Sequence, residues 1–205
     1  MFTGIVEEMG KIARIERGDT AFRMTIQANL VLEDLNVGDS VSVNGVCLTV
    51  TRRTGDAFEV DVMPETVKAT GFQTAAAGLR VNLERSMAAD GRFGGHFVSG
   101  HVDGTGEIVE KQPQENAVYY QIRTSEAIVR YLVMKGSVAV DGTSLTVFGV
   151  DNDTFTLALI PHTMNETVLG EKQVGDIVNI ECDVVGKYIE KFTLNRTKEE
   201  GAEDV

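Results

Sequence analysis

Apolar and polar residues alternate along short stretches of the chain. Val41 and Val43 alternate with Ser40 and Ser42, Phe58, Val60 and Val62 with Glu59 and Asp61, and Val81 and Leu83 with Asn82 and Glu84. A period of two puts every second side chain on one face, the pattern of a half-buried strand. It returns in Tyr120 and Ile122, Val138 and Val140, and Val178 and Ile180. Arg17-Gly18-Asp19, Asn44-Gly45 and Asp141-Gly142 separate the runs, and Asn-Gly or Asp-Gly suits a turn with positive φ. Short helical interruptions are expected at 30–35 and 125–134. Residues 186–197 also break period two: Val185, Tyr188, Ile189, Phe192 and Arg196 recur at helical spacing. That stripe fits a helix packed on its own module, or one that self-associates between subunits. Residues 198–205 carry too little apolar surface to pack and are expected to fray.

The runs are themselves repeated. VNGVCLTV at 43–50 returns as VDGTSLTV at 140–147, a shift of 97 residues. Met63-Pro64-Glu65-Thr66 and Ile160-Pro161-His162-Thr163 are separated by the same shift, as are Val81-Asn82-Leu83-Glu84 and Val178-Asn179-Ile180-Glu181. Gly4-Ile5-Val6 and Gly100-His101-Val102 are 96 apart. Four matches in one order divide the chain into two homologous modules, 1–93 and 94–187, followed by 188–205. Several short strands in each predict a small antiparallel barrel or sandwich.

Composition narrows the possible partners. With 42% hydrophobic residues, 24% charged, 21 Gly and 3 Pro, the 205-residue chain is ordered and turn-rich. A net charge of −12 without a basic cluster argues against nucleic acid. No apolar run is long enough for a membrane span, and MFTGIVEE lacks the marks of a secretory leader, so a cytoplasmic location is expected. The two cysteines, Cys47 and Cys182, do not form a disulfide framework and fit a reducing compartment.

Candidate chemistry is sparse. His96 and His101 are five apart, and neither Cys-x-x-Cys nor His-Glu-x-x-His occurs, so no metal is expected. Asp151-Asn152-Asp153 opens like a calcium loop, but Thr156 and His162 stand where glycine and glutamate are required. The glycine-rich stretch 94–106 lacks the spacing of a phosphate loop. It reads either as a linker or as backbone that a planar ligand approaches beside His101. Cys47 and Ser144 share one repeat position, each a small core residue or, with Thr49 and Thr146, a hydrogen-bonding group at a barrel mouth. Asp183 is a solvated strand end or a site residue.

Together, MFTGIVEE, NGVCLTV, GGHFVSGHVDGTG, VDGTSLTV and IPHTMNETVLG resemble the riboflavin synthase family over about 190 residues, in order, in both modules. The resemblance implies an all-β chain: two tandem homologous six-stranded antiparallel Greek-key barrels plus a C-terminal helix that assembles a homotrimer. Each barrel would bind 6,7-dimethyl-8-ribityllumazine without a cofactor, and association with lumazine synthase would follow. The implied reaction passes four carbons between two such molecules; the alternative of the same fold is a non-catalytic lumazine or flavin carrier. By motif, Gly4, Ile5, Val6, Ser40, Cys47, Leu48, Thr49, Asp61, Val62, Met63, Pro64, Glu65 and Thr66 would wall the N-terminal site. Gly100, His101, Val102, Lys135, Ser144, Leu145, Thr146, Ala158, Leu159, Ile160, Pro161, His162 and Thr163 would wall the C-terminal one. Phe2, Cys47, His101, Ser144 and Asp183 would take part in catalysis, with Phe2 against the ring system at the site's edge.

Overall fold

The computed structural model describes residues 1–18 and 22–200, with backbone alone for 194–200. Asp19 of the expected turn, the Arg196 side chain and the terminal residues 201–205 lie outside the described residues.

The alternating runs become strands, and the strands close. The first module holds β1 (Glu8–Arg17), β2 (Phe22–Gln27), β3 (Ser40–Val43), β4 (Val46–Arg53), β5 (Ala57–Val62) and β6 (Arg80–Arg85). They form a closed barrel in the order β1-β2-β5-β4-β3-β6, sealed where β6 pairs antiparallel with β1. The second module repeats this with β7 (Gly104–Gln114), β8 (Ala117–Arg123), β9 (Ser137–Val140), β10 (Thr143–Val150), β11 (Thr154–Leu159) and β12 (Ile177–Cys182). Closure removes the free sheet edge, and it needs local bending. β-Bulges at Ile12/Arg14 and Val50/Arg52 recur at Ile108/Glu110 and Val147/Gly149, the device that raises strand twist. Inside each barrel the apolar half of the alternation is buried: Met24, Val43, Phe58 and Leu83 in one, Ile108, Val140, Leu157 and Ile180 in the other.

The turn within each octet has positive φ at both central residues, 46° and 81° at Asn44-Gly45 and 44° and 76° at Asp141-Gly142, as a two-residue hairpin with the right twist requires. Residues 30–35 form a 3-10 turn over Val31–Glu33, and 125–134 contributes only α2 (Glu126–Val129), both shorter than expected. Two helices escaped the periodicity reading: α1 (Pro64–Ala69) and α3 (Pro161–Glu166). Each opens on a proline at its first turn, where the missing N–H costs nothing. The last helix, α4 (Val184–Glu200), starts four residues before the expected boundary at 188 and continues past 197, where fraying was expected. Asp183 sets the start, its Oδ1 accepting from Val185 N at 3.0 Å. No helix among the described residues is long and apolar enough to cross a membrane.

The barrels meet about an approximate twofold axis through the repeat. Asn82 Nδ2 donates to Asp141 O, and Asn179 Nδ2 to Asn44 O, each at 2.8 Å. The Asn82 Oδ1 accepts from Val168 N and Asn179 Oδ1 from Gly71 N, again at 2.8 Å. Asn82, Glu84, Asn179 and Glu181 belong to the polar half of the alternation, yet all four are buried. All four point away from their own barrel core, the asparagines into the contact with the other barrel and the glutamates toward the segments before β1 and β7. Buried amides are stable there because every donor has a partner.

Candidate functional site

Beside this interface, the segment before β1 and the one before β7 form two short straps. They pair with each other, Phe2 N donating to Val98 O at 2.7 Å and Val98 N to Phe2 O at 3.2 Å. Glu84 on β6 holds the first strap by accepting from Thr3 N, Thr3 Oγ1 and Gly4 N at 2.7, 2.9 and 3.0 Å. Glu181 on β12 holds the second through Ser99 N, Ser99 Oγ and Gly100 N at 2.7, 2.7 and 2.9 Å. Burial pushes the Glu84 carboxyl up, and the Thr3 and Gly4 donors pull it back.

Each strap then crosses to the octet of the other barrel. Ser144 N donates to Gly4 O at 2.7 Å, and Cys47 N to Gly100 O at 2.8 Å. The glycines make the crossing possible. Gly4 has φ +77° and Gly100 φ +81°, and an added Cβ would lie 2.7 Å from Ser144 Cβ or 2.5 Å from Cys47 Cβ.

The crossing brings together residues that the motifs assign to different sites. His101 and Val102 face Cys47, Glu65 and Thr66 around a cavity of about 330 Å³, within the range of small-molecule sites. Gly4 lies instead against Ser144, and Ile5 and Val6 follow it in the strap. The glycine-rich stretch acts as a linker that packs barrel on barrel: Gly95 lacks a Cβ that would lie 2.0 Å from Thr3 O and 2.9 Å from Ser144 Cβ.

The remaining candidates separate by face. Leu48, Val62 and Leu159 point into the barrel cores, and Leu145 packs against the second core. Pro64, Glu65 and Thr66 sit at the start of α1, Pro161, His162 and Thr163 at the start of α3, preceded by exposed Met63 and Ile160. Ser40 stands opposite exposed Thr49 in the β3–β4 register, while Thr146 stands opposite Ser137 and Ala158 opposite Tyr119. Asp61 is turned to a surface ion pair with Arg23 at 2.7 Å. Lys135, at φ +66°, holds its ammonium 4.2 Å from the Phe148 ring centroid, and Tyr119 meets that ring edge-on at 6.1 Å. Phe2 was expected at a pocket edge, but it is 0% exposed, packed with Val98, Ala139 and Cys47. A ring is driven into that apolar junction because both straps cover it.

One residue went unassigned in the sequence. His96, outside the matched repeat segments, is buried with Nδ1 2.7 Å from Ser144 Oγ. Its signal was Gly94-Gly95, whose small residues let the imidazole reach the octet. Burial lowers its pKa, against the fields of Asp183 and Glu181. Cys47 and Cys182 are both free. Burial pushes the Cys182 thiol up to about 12, its Sγ 3.7 Å from Ile128 O. A thiol reagent is therefore expected to label Cys47, which opens on the cavity, and spare Cys182 until the protein unfolds. Peptide mass mapping of native and denatured protein checks this, and equal labelling would contradict it.

The lumazine binding domain family matches residues 3–86 and again 99–183. Riboflavin synthase of Bacillus subtilis (strain 168) is 55% identical over 192 residues, covering 94% of this chain and 89% of that protein. That of Actinobacillus pleuropneumoniae is 52% identical over 200 residues, covering 98% and 93%. The crystal structure of LumP complexed with riboflavin superposes with a TM-score of 0.82 at 26% identity, over 89% of this chain and 99% of that one. LumP complexed with 6,7-dimethyl-8-(1'-D-ribityl) lumazine gives 0.80, also at 26%. Two repeated barrels, octets met by exchanged straps, and this identity through both halves lead to one conclusion: the chain belongs to the riboflavin synthase family.

Proposed function

We propose that the chain converts two molecules of 6,7-dimethyl-8-ribityllumazine into riboflavin and 5-amino-6-(D-ribitylamino)uracil by transfer of a four-carbon unit. The observation that carries this reading is the identity of 55% running through both modules. A reaction between two copies of one molecule calls for two related sites, and the repeat supplies two octet ends of shared geometry. The chemistry needs a proton removed from the C7 methyl group of one lumazine and an oxygen or sulfur nucleophile at C7 of the other. Cys47 and exposed His101 serve at one end and Ser144 at the other. Asp183 caps α4 and adds negative potential near His96. Phe2 acts by supporting both straps from beneath.

Purified protein incubated with the lumazine alone is expected to form riboflavin. Tight fluorescent binding without turnover would instead assign the carrier role; LumP, whose structures hold riboflavin and the lumazine, is only 26% identical.

The working unit is a homotrimer in the cytoplasm. The support is α4, which leaves Tyr188, Ile189 and Phe192 61%, 61% and 65% exposed; three such faces packed together would bury them. Truncation after Gly186 is expected to give monomers in analytical ultracentrifugation, and an unchanged trimer would reject this role of the helix. Association with lumazine synthase would follow from the shared intermediate.

A further inference from the structure

The two octets share a backbone but not a neighbourhood. Ser144 Oγ meets His96 Nδ1 at 2.7 Å, whereas Cys47 Sγ has no hydrogen-bond partner among the described residues. The imidazole is 7% exposed, and its Nε2 is buried without a partner among the described residues. His96 N donates to Thr3 O at 3.1 Å, so the backbone is tied to the first strap while the ring is oriented through Ser144. A buried ring nitrogen left unpaired is costly, and in native structures such an atom marks strain, a bound water or ion, or a functional site. A latch for the segment before β7 would need only the backbone bond to Thr3. It would not need a histidine whose second nitrogen stays bare.

We propose that His96 is a positioning residue for Ser144: it fixes the hydroxyl in one orientation toward the ligand and so makes the Ser144 end chemically unequal to the Cys47 end. The inference rests on the reading of the Ser144 end as a lumazine site. A serine hydroxyl otherwise rotates freely among three staggered positions. Held by His96, Oγ presents its remaining hydrogen-bonding capacity in one direction. Glu181 on β12 and Asp183 before α4 are the charged groups whose fields reach the ring, and Glu181 is already committed to Ser99 and Gly100. Cys47 has no equivalent constraint, so the same octet serves two substrates that leave the reaction differently.

Steady-state turnover of five variants tests this. His96→Asn places an amide where Nδ1 lies and keeps the bond to Ser144; His96→Gln places it where Nε2 lies and loses that bond. His96→Asn is expected within about threefold of native kcat, whereas His96→Gln and His96→Ala fall on the order of 10²-fold with KM little changed. In a Ser144→Ala background, His96→Ala should cost nothing further. Equal losses for Asn and Gln, or a His96→Ala loss that persists in Ser144→Ala, would overturn the positioning role. Native turnover in Ser144→Ala itself would instead overturn the assignment of that end as a reacting site. Should His96→Ala fail to fold, the Asn and Gln pair decides.

Discussion

Replacing Gly100 by alanine is expected to cost about 2–5 kcal/mol of stability and to lower turnover at least about 100-fold. The energetic loss has two sources. At φ +81° a side chain is strained, by roughly 1–2 kcal/mol. The new Cβ would also sit 2.5 Å from Cys47 Cβ and 2.8 Å from Cys47 N, so the strap or β4 must move. Backbone atoms on the strand cannot swing aside as the end of a flexible side chain can, and such overpacking adds about 1–3 kcal/mol. The catalytic loss follows from place: a shifted strap carries His101 and Val102 away from Cys47. Gly38 is the internal control. It has φ +96° but nothing within 4 Å of an added Cβ, so Gly38→Ala should show only the conformational cost of roughly 1–2 kcal/mol. Thermal melts and lumazine turnover on the two variants separate strain from contact, and similar behaviour of Gly100→Ala and Gly38→Ala would contradict the strap account.

Glu181→Ala is expected to destabilise the protein by about 3–5 kcal/mol and to empty the Cys47 cavity of its strap. One carboxylate accepts from Ser99 N, Ser99 Oγ and Gly100 N, and 2% exposure leaves little water to replace it. Each buried donor left unpaired costs about 1–3 kcal/mol. The strap is held to β12 chiefly by this residue, so Gly100 would lose its position against Cys47 without any new clash. Glu84→Ala should do the same at the Ser144 end through Thr3 and Gly4. Chemical denaturation gives the stabilities, and hydrogen exchange at the amides of Ser99 and Gly100 reports the strap itself. Slow exchange retained at those amides in Glu181→Ala would contradict the assignment.

Strands, turns and the duplication were legible in the sequence because each has a local cause. Val41, Val43, Phe58 and Val60 alternate because every second side chain enters the barrel core, and Asn44-Gly45 marks a turn that needs positive φ. Barrel closure is not local: it depends on β6 reaching β1 from the far end of the module. The exchange of straps was hidden for a sharper reason. Gly4 and Gly100 occupy equivalent repeat positions, and nothing in a repeat says whether each strap serves its own barrel or its twin's. The fact that Glu84 and Glu181 fall in the polar half of the alternation suited solvent as well as a partner barrel. α1 and α3 escaped notice because six residues are too few to set a helical stripe. The family resemblance contributed the reaction, which no periodicity carries, while the structure regrouped the residues around Cys47 and Ser144.

The most direct measurement is ligand stoichiometry set beside turnover, on the native chain and on Gly100→Ala. Titrating each with an unreactive lumazine analogue in a calorimeter should give two ligands per native chain and one per Gly100→Ala chain, with riboflavin formed only by the native protein. A Gly100→Ala chain that binds a single analogue yet forms riboflavin at the native rate would contradict the claim that the repeat exists to bring two substrates to two unequal sites.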